Sequence, residues 1–113
     1  KIHKIALEVL VQGLKDIKIL KGSKDEIIER DLYKEFYMHG TSHWLGLDVH
    51  DVGSFETPMR EGMVFTCEPG IYILEEELGI RLENDVLVTK DKPFDLMGNI
   101  PIELNEIEEM MNT

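Results

Sequence analysis

Three observations predict an α+β domain in which helices cover a curved, mostly antiparallel sheet. Apolar residues near the N-terminus recur at three- and four-residue spacing. The middle segments are short, rich in β-branched residues and punctuated by Gly, Pro or acidic clusters. A helical period then returns near the C-terminal end. At 113 residues the chain is long enough for one hydrophobic core and too short for two.

The first helix is read from Ile2, Ile5, Ala6, Val9, Leu10, Leu14 and Ile17, which fall on one amphipathic stripe. Gly13 lies on that stripe, and since glycine costs about 1 kcal/mol against alanine in a helix, close helix packing is expected there. The pattern is in full swing at Ile2 with no Ser, Thr, Asp or Asn cap before it, so the natural chain is expected to begin earlier. Gly22 is expected to stop the helix. Ser23 and Glu26 have the spacing of a capping box for a short helix through Ile27 and Ile28. Strands are predicted over Met63 to Glu68, Ile71 to Ile73 and Ile80 to Thr89, with Glu75 to Gly79 joining two antiparallel strands. Leu104, Ile107 and Met111 predict a closing helix over Glu103 to Met111. There is no internal repeat, low-complexity tract or linker.

The net charge of −11 argues against nucleic acid, which needs a basic footprint. Residues 1 to 30 hold seven Lys or Arg against five acids, so the acidic excess lies downstream, as a solvated surface with part of it available to cations. No apolar run approaches the roughly 20 residues of a membrane span, and the N-terminus lacks the pattern of a signal peptide. A soluble, cytoplasmic protein with no membrane partner is expected. The single cysteine, Cys67, excludes an internal disulfide and fits a reducing compartment. Strand alternation turns it away from Glu68, as a small core residue.

The chemistry-bearing residues cluster in HGTSHWLGLDVHDVG, which carries His39, His43 and His50, then Glu68 in TCEPG and Glu83 in GIRLEND. Imidazole and carboxylate are the common ligands of first-row divalent metals. Val64, Thr66 and Glu68 share one strand face. Arg81, Glu83 and Asp85 share another, with Ile80, Leu82, Val86 and Val88 behind them. Two antiparallel strands would bring Glu68 and Glu83 close together, where a metal ion or Arg81 relieves their repulsion. His43 is the best third ligand, because Gly40 and Gly46 permit tight turns on either side. Other assignments are weaker. Ser42, His50 and Asp51 could make a triad, but Ser42 lacks a nucleophile-elbow context. Cys67 with His43 fails because alternation buries the sulfur. Trp44 fits packing better than a substrate pocket, and His3 reads as a surface or structural residue.

At these residues the chain resembles the C-terminal half of aminopeptidase P, the Xaa-Pro aminopeptidase branch of the pita-bread metallopeptidases. GLKDIKILKG, FYMHGTSHWLGLDVHDVG, EGMVFTCEPGIYI, GIRLENDVLVT and NIPIELNEIEEMM carry the likeness over essentially the whole chain. The resemblance implies that residues 1 to 113 are the C-terminal part of a catalytic domain, half of a pita-bread fold. It implies two divalent metal ions, most often manganese, sharing a water or hydroxide that attacks a peptide carbonyl. His43 would ligate one ion, Glu68 would ligate it and assist proton transfer, and Glu83 would bridge both. His39 and His50 would position the substrate and stabilise the tetrahedral intermediate by hydrogen bonding, and Arg81 would orient a carboxylate.

The family takes two further aspartate ligands from an upstream DxG segment and an Asp about eleven residues beyond it. No such pair precedes His39, and Asp16, Asp25 and Asp31 do not match it. The chain is therefore expected to be a fragment that is inactive alone and holds at most one weakly bound ion. The parent is expected to release the N-terminal residue from peptides with proline second. Prolidase, an Xaa-Pro dipeptidase, is the near alternative, and a pita-bread binding module without catalysis is the distant one. The missing half-sheet predicts a homo-oligomer, through an apolar face covered by a second copy. A compact monomer in size-exclusion chromatography at micromolar concentration would contradict it.

Overall fold

The computed structural model describes residues 1 to 112. Helix α1 spans Ile2–Asp16 and α2 spans Lys24–Glu29. Strands follow as β1 (Val64–Cys67), β2 (Gly70–Ile73), β3 (Leu78–Arg81), β4 (Asn84–Leu87) and β5 (Phe94–Asp95), and α3 (Leu104–Met111) comes last. Every strand pairing is antiparallel. Two compact units divide the chain: Lys1–Ser42 with Glu68–Arg81, and His43–Cys67 with the residues from Leu82 on. Among the described residues, no helix is long and apolar enough to cross a membrane.

In the first unit α1 forms as predicted, but its inward face overlaps the predicted stripe only in part, through Leu10 and Leu14. Leu7, Val11 and Leu14 are buried, and Leu7 and Val11 pack with Ile27 of α2 and with Tyr33 and Tyr37. Ile5, Val9 and Ile17 of the predicted stripe are exposed. At 100° per residue Ile5 and Val9 lie roughly opposite Leu7; the helix is apolar on two sides, and tertiary packing chose between them. Gly13 does not serve close packing either, since a Cβ there meets nothing within 4 Å. Gly13→Ala is therefore expected to raise stability by about 0.5–1 kcal/mol through reduced freedom of the unfolded chain, read from urea unfolding midpoints.

Helix α1 ends well before Gly22. Ile17 is its C-cap, the Lys18 amide donates to the Lys15 carbonyl (2.9 Å), and the Ile19 amide donates to the Leu14 carbonyl (2.9 Å). This is a Schellman closure, with Lys18 in the left-handed region at φ 65° where glycine is usual. Lys18→Gly is expected to stabilise the fold by about 1 kcal/mol, visible as a higher melting temperature. Ser23 caps α2 as predicted, accepting the Glu26 amide at 3.1 Å. The reciprocal half of the box is replaced by an ion pair of Glu26 with Arg30 at 2.8 Å. A 3-10 turn over Leu32–Glu35, not anticipated from the sequence, carries Tyr33 into the core.

The strand predicted from Ile80 to Thr89 is in fact two strands. β2 pairs with β3 from Gly70↔Arg81 to Ile73↔Leu78, and β1 pairs with β4 from Val64↔Leu87 to Cys67↔Asn84. Pro69 has no N–H to continue a ladder, and Leu82 and Glu83 leave strand conformation accordingly. The turn from β2 to β3 is a 3-10 turn at Leu74–Glu76 with Glu77 left-handed, so Leu78 and Gly79, expected in the loop, are already in β3.

In the second unit β4 also pairs with β5, an unpredicted two-residue strand. Residues His43 to Leu45 run along β1: Leu45 donates to the Val64 carbonyl (3.1 Å), Thr66 to the His43 carbonyl (3.0 Å), and Trp44 bridges Phe65. The predicted C-terminal helix forms as α3, with Leu104, Ile107, Met110 and Met111 exposed.

Candidate metal centre

Glu68 follows β1 directly. Its amide donates to the Thr41 carbonyl at 2.8 Å, and its half-buried side chain faces Arg81, with Nη1 to Oε2 at 3.6 Å. Arg81 is half exposed, so this pair contributes orientation more than stability. The carboxylate beside Arg81 in this structure is that of Glu68.

His39 sits in the same unit with both ring nitrogens engaged. Nδ1–H donates to the Gly40 carbonyl (2.7 Å) and Nε2 lies 2.9 Å from the Tyr72 hydroxyl. The rings of Tyr37 and Tyr72 meet His39 edge-on, with centroids at 5.1 and 5.5 Å. The expected hydrogen bond from His39 to substrate therefore competes with two bonds already made within the protein. Tyr72 was not singled out in the sequence, although alternation from Glu68 gives it the same parity.

His43 is held at its backbone by Thr66, whose hydroxyl accepts the His43 amide at 3.0 Å and whose own amide returns the bond. The His43 ring donates from Nδ1 to the Trp44 carbonyl (3.0 Å). That bond fixes the tautomer with the lone pair on Nε2, the arrangement usual for a metal-ligating histidine. The His50 ring lies 4.2 Å from that of His43, centroid to centroid. The intervening loop is closed by Asp51, whose carboxylate accepts the amides of Leu47 (3.1 Å) and Val52 (2.9 Å) while its own amide donates to the Trp44 carbonyl (3.0 Å). Asp51 is thus a loop-closing residue, and the Ser42, His50, Asp51 triad does not arise. Gly46 is required for a reason other than turning: a Cβ there would lie 1.8 Å from Asp51 Oδ2. Trp44 packs as expected, its indole filling the space over Gly53.

His43, Glu68 and Glu83 each offer a ligand atom, and these atoms all lie within 4.8 Å of one another. The two carboxylates flank the last pair of the β1–β4 ladder: Glu68 directly follows Cys67 and Glu83 directly precedes Asn84. An imidazole with its second nitrogen on a carbonyl, together with two converging carboxylates, fits a divalent cation of the Mn, Fe or Zn type. Sequence reasoning singled out these three residues. It did not single out Thr41 and Thr66, both buried, which bond the backbones of Glu68 and His43.

The profile of metallopeptidase family M24 matches residues 1–90. The chain is 44% identical to the Xaa-Pro aminopeptidase of Haemophilus influenzae over 118 residues, covering 94% of this chain and 27% of that protein. It is 38% identical to human Xaa-Pro aminopeptidase 3, covering 96% of this chain and 24% of that one. Among solved structures, the aminopeptidase PepP of Pseudomonas aeruginosa superposes with a TM-score of 0.88 at 37% identity, covering 97% of this chain and 28% of that one. Aminopeptidase P from Escherichia coli with the inhibitor Pro-Leu superposes with a TM-score of 0.85 at 40% identity, covering 94% and 27%. The chain spans about a quarter of the length of these relatives.

Proposed function

The chain belongs to metallopeptidase family M24, and from that premise we propose that residues 1 to 113 are the C-terminal part of a catalytic domain. The whole protein then releases the N-terminal residue from peptides with proline in second position. The fold is that of the aminopeptidase P structures, part of a pita-bread domain. The observation that carries the reading is the convergence of His43, Glu68 and Glu83 in a chain 44% identical to an Xaa-Pro aminopeptidase.

In this reading His43, Glu68 and Glu83 would hold divalent metal, manganese by preference, together with two aspartates from the upstream part of the protein. When bound, the ions supply Lewis acidity and a nucleophile at neutral pH. Glu68 also handles the proton passed from water to the leaving amine. His50, beside His43, donates to the oxygen that gains charge, and Arg81 keeps Glu68 in place. His39 lines the site with its ring edge-on to two tyrosines. The partners are peptides rather than nucleic acid or membrane, the compartment is the cytoplasm, and a second copy covers the exposed apolar surface.

The test is hydrolysis by the full-length protein with manganese, comparing an Xaa-Pro tripeptide with an Xaa-Pro dipeptide. Faster turnover of the tripeptide is expected. Turnover of the dipeptide alone would make the protein a prolidase, and no turnover of either with two ions bound would end the peptidase reading. The 113-residue chain alone is expected to be inactive and to bind one manganese ion at most in calorimetry.

A further inference from the structure

We propose that Thr41 is a positioning residue for Glu68, held by a buried hydroxyl link to Tyr37 and to His3 of α1. The inference rests on Glu68 being a metal ligand. Thr41 and Tyr37 are each 1% exposed, and each ends up with its hydroxyl against the other at 2.5 Å. His3 Nδ1 approaches the same Thr41 oxygen at 2.9 Å from the first turn of α1. A hydroxyl has one proton and two lone pairs, so these two neighbours set its direction, and a β-branched side chain held this way has little χ1 freedom.

What is fixed at Thr41 is passed on by its backbone. The Thr41 carbonyl accepts the Glu68 amide (2.8 Å), and five residues earlier the Phe36 carbonyl accepts the Tyr72 amide (2.9 Å). Residues 36 to 41 therefore clamp both sides of the turn from Glu68 into β2. Between these two points the Gly40 carbonyl accepts His39 Nδ1–H (2.7 Å). Adjacent carbonyls, those of Gly40 and Thr41, thus serve one residue of the candidate site each. Pro69 denies the following position a ladder bond, which leaves the Thr41 contact as the backbone anchor nearest the Glu68 carboxylate.

Thr41 supports Glu68 through its backbone carbonyl while two neighbours hold its hydroxyl, and loss of support behind a ligand weakens metal affinity about 10–100-fold. His3 entered the sequence reading only as a surface or structural residue, and Thr41 was not singled out at all. Together they tie the first helix of the chain to the ligand's backbone.

The experiment is calorimetric titration of the full-length protein with manganese, for the parent and for Thr41→Val, Thr41→Ser and Glu68→Gln. Thr41→Val keeps the shape and removes the hydroxyl, and is expected to raise the Kd about tenfold, whereas Thr41→Ser restores parent affinity. Glu68→Gln is expected to lose binding at that site. Parent-like affinity in Thr41→Val with loss in Glu68→Gln overturns the positioning role and leaves the ligand reading intact. Parent-like affinity in Glu68→Gln overturns the ligand reading itself. Equal weakening in the valine and serine variants overturns the role of the hydroxyl. If Thr41→Val does not fold, Tyr37→Phe removes the other end of the link, and unchanged manganese affinity in that variant overturns the proposal.

Discussion

Glu83→Ala in the full-length protein is expected to cut kcat/KM on an Xaa-Pro tripeptide by at least about a thousandfold, equivalent to ~4 kcal/mol of transition-state stabilisation. Glu83 is exposed, and its main connection is to the ligand group with His43 and Glu68. The loss should come with the metal and not with the fold, so the circular dichroism spectrum stays that of the parent while manganese affinity falls. Arg81→Ala provides the scale. Its contact with Glu68 is 3.6 Å and half exposed, so a fall of about tenfold is expected, with the metal still bound. Manganese binding by Glu83→Ala equal to that of the parent would remove Glu83 from the ligand set.

Ile27→Ala carries the largest expected cost in stability, about 2–5 kcal/mol. Its side chain is 0% exposed in the cluster formed with Leu7, Val11, Tyr33 and Tyr37. Against the 5–15 kcal/mol of a typical domain, such a loss is a large fraction of the total, and the urea midpoint should drop accordingly. Val9→Ala is the matched comparison. Val9 sits on the stripe that periodicity singled out but is 66% exposed, so its removal should change stability by less than about 0.5 kcal/mol. A similar loss for both would mean that the outer face of α1 is buried in solution.

These two cases mark how far the sequence was legible. The candidate ligand residues were legible because their chemistry is rare and they flank paired strands: Glu68 directly follows β1 and Glu83 directly precedes β4. The inward face of α1 was read only in part: Leu10 and Leu14 turn inward as expected, but the helix is apolar on two sides and packing with Ile27, Tyr33 and Tyr37 covers Leu7 and Val11 instead of Ile5 and Val9. Leu104, Ile107 and Met111 gave the helix correctly and its burial incorrectly, since a period reports an amphipathic element and not the presence of a partner surface. The end of α1 was misplaced because a lysine occupies the left-handed position that glycine would have announced. The supports of the site, Thr41, Thr66 and Tyr72, escaped notice because a threonine or tyrosine becomes informative only once its neighbours are known.

The pairing of β1 with β4 also sets where this chain can change length. A residue gained or lost within Val64–Cys67 or Asn84–Leu87 shifts one strand by a step, turns its side chains to the other face and separates Glu68 from Glu83. At the tip from Leu74 to Glu77 the chain leaves its ladder, carries exposed acidic residues and holds no candidate ligand. Insertions there leave every pairing up to Ile73↔Leu78 as it is. Length variation, tags and reporter loops thus have one tolerant place in this hairpin, whereas the β1–β4 ladder flanked by Glu68 and Glu83 has none.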